Sequence, residues 1–364
     1  MAQTITFFNK VCLLLALTLV VPVITQGSEE ETRKITKSYS VKPDAAVDIH
    51  NKYGEIKLET WDKDSVRIEV ELRAIAGTKD RVRKLIDEIS FDFSNTDYYV
   101  TARTEITGQR TQLLKEFSDI AELIYSGDNK VTIDYRVMVP KTVRLEIENR
   151  YGNVYCGDVS SELRMNVQHG SFYGGKLTGN SDITVKFGDG RVHEIKDGRM
   201  VLEYADFNLN TADRLVLQSK SSTINIRDIN ELRATSRRDK FQIDNVKVLN
   251  GGSAFTDYFV DQLDRSVNMQ MRYGTLHVQR IPGTVSSFSI NSSYTDLDLN
   301  LDYSAGYNVN VNTRNVNFRY PDNAKIDKTV SDNNDRIIYS GSIGSGGSAL
   351  LRVDAENCDV RIDR

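Results

Sequence analysis

Cysteine, proline, tryptophan and long hydrophobic runs are all scarce in this chain of 364 residues. Past the amino end, no apolar stretch approaches the roughly 20 residues that a membrane-spanning helix needs, so the body of the chain is expected to carry no transmembrane segment. Three cysteines, Cys12, Cys156 and Cys358, are too few for a disulfide framework. An oxidising compartment would permit Cys156 and Cys358 to pair, but positions so far apart in an elongated body are expected to stay apart. The four histidines, His50, His169, His193 and His277, are scattered, and neither His-x-x-x-His nor Cys-x-x-Cys spacing occurs to suggest zinc. Nor is there an excess of one charge sign. The 47 Lys and Arg face 51 Asp and Glu, interspersed, for a net charge of −4, which gives no support for nucleic-acid binding. A Gly-x-Ser-x-Gly elbow and an Asp-x-Asp-x-Asp-Gly calcium loop are also missing. No catalytic, cofactor-binding or metal-binding residue is therefore expected, and no cofactor.

Tyrosine and phenylalanine are plentiful, at 17 and 13, against only five prolines, the balance of an ordered, strand-rich chain. The amino end places Lys10 before the apolar run VCLLLALTLVVPVI and the small residues Thr25, Gln26 and Gly27, then Ser28 and three glutamates. This is the layout of a signal peptide over residues 1–27, with an apolar run too short for a comfortable membrane span. Export to the periplasm, the cell surface or the medium is the expectation.

One phrase recurs: an alternating apolar strand, an aromatic residue followed by glycine or a small residue, then a second alternating strand. It reads NKYGEIKLE around Tyr53 and Gly54, NRYGNVY around Tyr151 and Gly152, VKFGDGRV around Phe187 and Gly188, LEYADFNL around Tyr204, MRYGTLHV around Tyr273 and Gly274, and NSSYTDLDL around Tyr294. Flanking strands place further markers, so that Tyr151, His169, Phe187, Tyr204, Ser221, Arg238, Thr256, Tyr273, Tyr294 and Thr313 follow at intervals of 17 to 21 residues. Apolar residues before each marker share its parity, as Val143, Leu145 and Ile147 do before Tyr151, and the parity shifts afterwards. The markers are therefore read as inward-pointing corners, with glycine supplying an unusual torsion or a close approach. The fold class expected is all-β: a single-stranded parallel β-helix or β-solenoid with coils of about 17–20 residues and one short helix near the amino end.

Domain boundaries follow. Residues 28–34 read as a polar linker and 35–106 as amino-terminal strands with a capping helix. The helix is TKDRVRKLIDEI, with Thr78 as its cap and Val82, Leu85, Ile86 and Ile89 at helical spacing. Residues 107–130 read as an insertion, 131–320 as the solenoid coils, and 321–364 as a polar loop with carboxy-terminal capping strands.

The phrase VDIHNKYGEIKLETWDKDSVRIEVELRA, the TKDRVRKLIDEI helix, YRVMVPKTVRLEIENRYGNVY and a run of glycine-cornered coils closing on LLRVDAENCDVRI resemble a bacterial secreted domain family of unknown function, described as candidate adhesins. The resemblance covers residues 35–362 and rests on this layout and the two Asn-Lys/Arg-Tyr-Gly corners. It implies a secreted β-solenoid and supplies no catalytic motif.

Surface candidates are few. Asp296, Asp298, Asn300 and Asp302 alternate with Leu297, Leu299 and Leu301, so their side chains share one strand face that either holds Ca²⁺ or is simply solvated. Arg233, Arg237, Arg238 and Lys240 form the densest basic cluster, a binding site for an anionic glycan, lipid headgroup or phosphate, or a solvated turn diluted by Asp239 and Asp244. Trp61, the single tryptophan, is read as packing or capping a turn, and His169 as a corner side chain stacked between rings. The function expected is an exported, non-enzymatic β-solenoid serving as an adhesin-like binding or scaffold module at the cell envelope or surface, with an envelope glycan, a protein or a second copy as partner. The alternatives are a carbohydrate-active lyase or hydrolase on a β-helix and a self-assembling envelope polymer.

Overall fold

The computed structural model describes residues 28–106, 130–331, 335–347 and 349–364. The expected signal peptide and all of the expected insertion except Lys130 lie outside the described residues. The described chain is all-β apart from one helix. In order it forms β1 (Glu29–Ser40), β2 (Ala46–Lys52), β3 (Ile56–Trp61), β4 (Ser65–Ala76), α1 (Lys79–Asp87), β5 (Ile89–Thr96), β6 (Tyr99–Ile106), β7 (Lys130–Pro140), β8 (Arg144–Arg150), β9 (Val154–Cys156) and β10 (Leu163–Gln168). There follow β11 (Phe172–Lys220), β12 (Thr223–Arg237), β13 (Lys240–Ile281), β14 (Ser287–Leu301), β15 (Tyr307–Arg314), β16 (Asn317–Arg319), β17 (Lys325–Ser331), β18 (Arg336–Ile343), β19 (Ala349–Glu356) and β20 (Asp359–Asp363). All belong to one hydrogen-bonded sheet of 20 strands.

Alternation sets the core. In β8, Leu145 and Ile147 are buried while Arg144 and Glu146 are exposed, as side chains leave opposite faces of a strand. Each stretch then pairs in parallel with the next: Leu145 with Leu163 and Leu163 with Ser181, 18 residues apart, then Ile224 with Phe241 at 17 and Ser266 with Ser287 at 21. Equivalent apolar residues thus stack into continuous inward columns that form one core cluster. The helix α1 begins at Thr78, whose hydroxyl accepts from the Arg81 amide, and buries Val82, Leu85 and Ile86 against the sheet.

The corners fall at Tyr53, Tyr151, His169, Phe187, Tyr204, Ser221, Arg238, Phe255, Tyr273 and Tyr294, every one with φ between 52° and 63°. Their side chains do not point inward. Tyr151 is 44% exposed, Phe187 48% and Tyr294 50%. Parity counting assumes extended backbone through the corner, whereas a left-handed residue rotates its own side chain to the outside and resets the alternation beyond it. The same effect displaces two markers. Thr256 and Thr313 are buried, so parity selects them, yet the left-handed positions are Phe255 and Asn315. The left-handed torsion therefore belongs to the corner residue, joined at one corner by Gly274 with φ 132°, and glycine serves close approach: a Cβ on Gly54 would lie 2.0 Å from the Ile133 carbonyl oxygen, and one on Gly152 would lie 1.8 Å from that of Gly54. Two residues before the corner, buried Asn51 and Asn149 donate to the carbonyls of Ile133 and Gly54 at 2.8 and 2.9 Å.

Both chain ends depart from expectation. Residues 29–34, expected within a polar linker, belong to β1, which pairs antiparallel with β4 along its whole length, and Ile35 and Tyr39 of the same strand pack on the core between polar neighbours. The polar region after Pro321 contains the antiparallel hairpin of β17 and β18, which pairs onto β15. Nor do the last strands cap the stack. β19 lies between β14 and β15, parallel to both, and β20 between β14 and β16. At the opposite end β6 and β7 are outermost in the parallel register, covered by antiparallel β5 and β4.

Candidate binding surface

The corner residues make a ridge. Tyr53, Tyr151, His169, Phe187 and Tyr204 stack ring on ring with centroids 4.9–5.3 Å apart and planes within 9° of parallel. Phe255, Tyr273 and Tyr294 continue the line at 4.7 and 5.1 Å. The spacing is that of neighbouring strands, about 4.8 Å, which falls inside the range for aromatic stacking. Each inner ring has both faces covered by its neighbours, so the ridge presents ring edges and tyrosine hydroxyls, not open faces on which a sugar ring could lie.

Ser221 and Arg238 interrupt the rings, and cations fill the gap. The Lys220 ammonium lies 5.6 Å from the Tyr204 ring centre, and the Arg238 guanidinium 6.0 Å from that of Phe255. Lys220 and Arg237 stand directly opposite each other on adjacent parallel strands. Lys240 lies over Phe259 at 5.8 Å and Arg272 over Tyr273 at 5.9 Å. Beneath the gap, Asp239 is buried at the position after the corner, where the other corners have glycine, alanine, serine or threonine. Its carboxylate accepts from the Ser219 hydroxyl at 2.7 Å and from the Ser222 and Arg237 amides at 2.8 and 2.9 Å. Burial pushes its pKa up, and these hydrogen bonds oppose the rise.

Beyond the ridge, a groove of about 510 Å³ runs over the second strand of these layers, lined by Tyr173, Arg191, His193, Asn208, Asn225 and Gln242 among others. Tyr173 stacks on Tyr155 at 5.0 Å, and the Asn225 amide donates to Asn208 at 3.0 Å. A second cleft, about 1060 Å³, includes Asp244, Asp261, Arg280 and Asp302. Burial raises the Asp244 pKa, helped by the charges of Asp261 and Asp228.

The sequence-derived candidates separate into two groups. Arg237 and Arg238 meet Lys220 and Lys240 at the gap, whereas Arg233 lies several residues back on β12, opposite Val216. The acidic strand face is not brought to one point. Asp296 accepts from the Asp359 amide at 2.9 Å, Asp298 meets His277 at 3.0 Å, and Asp302 meets Arg280 at 2.9 Å and is held at a pKa of about 2 by hydrogen bonds from Ser304 and Arg280. His169 stacks between Tyr151 and Phe187. Trp61 donates to the Ser65 carbonyl at 2.7 Å and closes a turn. Cys156 and Cys358 are buried and unpaired, and burial pushes the Cys156 thiol up to about 12.

Sequence reasoning missed Lys220, which aligns with Arg237 only once the 17-residue register is known. It also missed a cluster near the amino end, where Asp48 contacts His50, Arg103 and Tyr99 at 2.6, 2.8 and 3.0 Å. Burial alone would raise the Asp48 pKa, but the hydrogen bonds from His50 and Arg103 outweigh it and hold it at about 2. Among the described residues no helix is long and apolar enough to cross a membrane.

No family model matches the chain, and no curated protein does. Solved structures similar to it include three candidate adhesins, the class that its sequence resembles. The one from Parabacteroides distasonis is 12% identical with a TM-score of 0.40, over 73% of this chain and 97% of that one. The Parabacteroides merdae protein is 10% identical with a TM-score of 0.35, over 73% and 95%. The Bacteroides fragilis protein is 16% identical with a TM-score of 0.25, over 74% and 97%.

Proposed function

We propose that this protein is an exported, non-enzymatic binding module of adhesin-like type, at the cell envelope or surface, built as a parallel β-solenoid with coils of about 17–20 residues. The observation that carries the reading is the ridge of stacked corner rings, in two runs from Tyr53 to Tyr204 and from Phe255 to Tyr294, most of them exposed. Stacked tyrosines offer a rigid, amphipathic contact area that loses little side-chain entropy on binding. A ridge this regular and this exposed suits contact with an extended partner, such as an envelope glycan or protein.

The two alternatives have weaker support. A lyase or hydrolase would draw on the carboxylates of the larger cleft, Asp244, Asp261, Asp302 and Asp363; general acid–base work there would require a positioned partner on each side of the substrate. A polymer joined end to end would need bare strand edges. Here the outermost strands β1 and β17 carry Glu29, Glu30, Lys34 and Lys37, and Lys325, Asp327 and Lys328, charges of the kind that discourage edge pairing.

The test is retention of purified protein lacking residues 1–27 on envelope fractions and a glycan panel, scored together with product release and filament growth. Retention without turnover is expected, weakened in a Tyr151→Ala/Tyr204→Ala double variant that keeps its far-ultraviolet circular dichroism. Released oligosaccharide would move the assignment to the enzyme, and concentration-dependent filaments to the polymer.

A further inference from the structure

We infer that the interruption in the ridge is a binding site for an acidic polysaccharide, a glycan chain bearing carboxylate or sulfate groups. The inference rests on the reading of the ridge as a binding face and names the ligand class for its central part.

Lys220, Arg237, Arg238, Lys240 and Arg272 are all exposed, and among the described residues none has a carboxylate within ion-pair distance. Three cations of the same layers are neutralised by a neighbour, Lys186 by Glu203 at 3.0 Å, Arg214 by Asp197 at 2.5 Å and Arg227 by Asp228 at 3.1 Å; what sets the five apart is that they gather at one place. Asp239 does not act as their counter-ion, because its oxygens are taken by Ser219 and by backbone amides. Like charges directly opposite each other on paired strands are destabilising, and the register imposes that arrangement on Lys220 and Arg237. A bound anion relieves it.

Lys220 and Arg238 lean on the rings that end each half of the ridge, and Arg272 on Tyr273. Cation–π contact restricts long side chains that would otherwise sweep through solvent, so the charges are held in a line along the stack. From the layer of Lys220 to that of Arg272 the line runs about 14 Å at the usual strand spacing. A single small anion spans one of these steps; a chain with recurrent charges spans them all.

Polar, uncharged side chains border the cations. Gln218, Thr235 and Gln270 stand exposed two residues before Lys220, Arg237 and Arg272 on the same strand faces. Amide and hydroxyl side chains match the hydroxyl-rich backbone of a glycan. A lipid surface would instead call for apolar side chains able to enter the membrane beside the charges, and a nucleic acid for open ring faces or a strong basic excess. The stacked rings and the net charge of −4 offer neither.

Binding of polygalacturonate, dextran sulfate, neutral dextran, inorganic phosphate and phosphatidylglycerol vesicles to the protein lacking residues 1–27 tests this. Polygalacturonate and dextran sulfate are expected to bind in a salt-sensitive manner, and Lys220→Gln/Arg237→Gln/Arg238→Gln to weaken both about tenfold or more. A variant with the same charge change elsewhere, Arg67→Gln/Arg164→Gln/Arg214→Gln, is expected to bind as the parent does. On the unmodified protein, polygalacturonate is expected to shield Lys220 from acetylation while leaving Lys34 reactive, a readout that no folding defect can mimic. Equal loss in both triple variants, equal binding of neutral dextran, preference for vesicles or for phosphate alone, or an unshielded Lys220 would overturn the site. Envelope retention that survives in the Lys220 triple variant would refute this ligand and leave the module standing; polygalacturonate binding without envelope retention would do the reverse.

Discussion

A left-handed backbone at a residue with a side chain costs about 1–2 kcal/mol, and this chain adopts one at Tyr53, Tyr151, His169, Phe187 and each later corner. The conformation persists because neighbours over-determine it: the corner amide of Tyr53 donates to Arg150, that of Tyr151 to Gln168 and that of His169 to Lys186, at 2.9–3.0 Å. The glycine that follows is constrained from a different direction, by the carbonyl of the layer beside it. Gly152→Ala is accordingly expected to lose about 3 kcal/mol or more, since the obstructing atom belongs to backbone; urea unfolding measures it, and an unchanged midpoint would mean that the layers separate freely. Asp48 gives a pH dependence. Its folded pKa, about 2, is depressed below the ordinary aspartate value, so its contribution is complete above pH 4 and disappears as pH falls through 2. Thermal unfolding followed from pH 5 to pH 2 is expected to show a decline that Asp48→Asn reduces.

Among elements, the ridge couples layers that already share backbone hydrogen bonds. Each stacked pair adds about 0.5–1.5 kcal/mol beyond burial, and Phe187 belongs to two, with His169 and Tyr204. Phe187→Ala is therefore expected to cost about 1–3 kcal/mol in thermal or urea unfolding although the ring is nearly half exposed; a loss within error of zero would show that the rings are stacked but uncoupled. The parent element was readable from sequence wherever backbone stayed extended. Period-two alternation located β4 and β8, and the Thr78 cap with Val82, Leu85 and Ile86 located α1. The failures share one cause. Counting faces through Tyr151 or Phe255 treats a left-handed residue as extended, so the count assigned exposed rings to the core and preferred Thr256 to its neighbour. Lys220 escaped notice because only the register brings it beside Arg237.

For the whole molecule, composition already indicated an all-β chain without a disulfide framework, and the recurring intervals indicated parallel pairing. What no local pattern indicates is where a strand from the far end of the chain goes. Residues 349–363 have the same alternation as any other strand pair, yet they lie between strands that precede them in sequence. That interleaving bears on how the molecule is assembled in time. Strands from β6 to β14 can add in their order of synthesis, each upon a strand already made. The hairpin of β17 and β18 and the strand that it covers, β15, have no such neighbour until the final residues arrive, because β19 is what joins β15 to β14. The segment of β19 and β20 is thus a key inserted last: until it is made, the strands from β15 onward have no seat on the rest of the sheet, and a chain lacking these two strands would keep the ridge but leave one end unlocked.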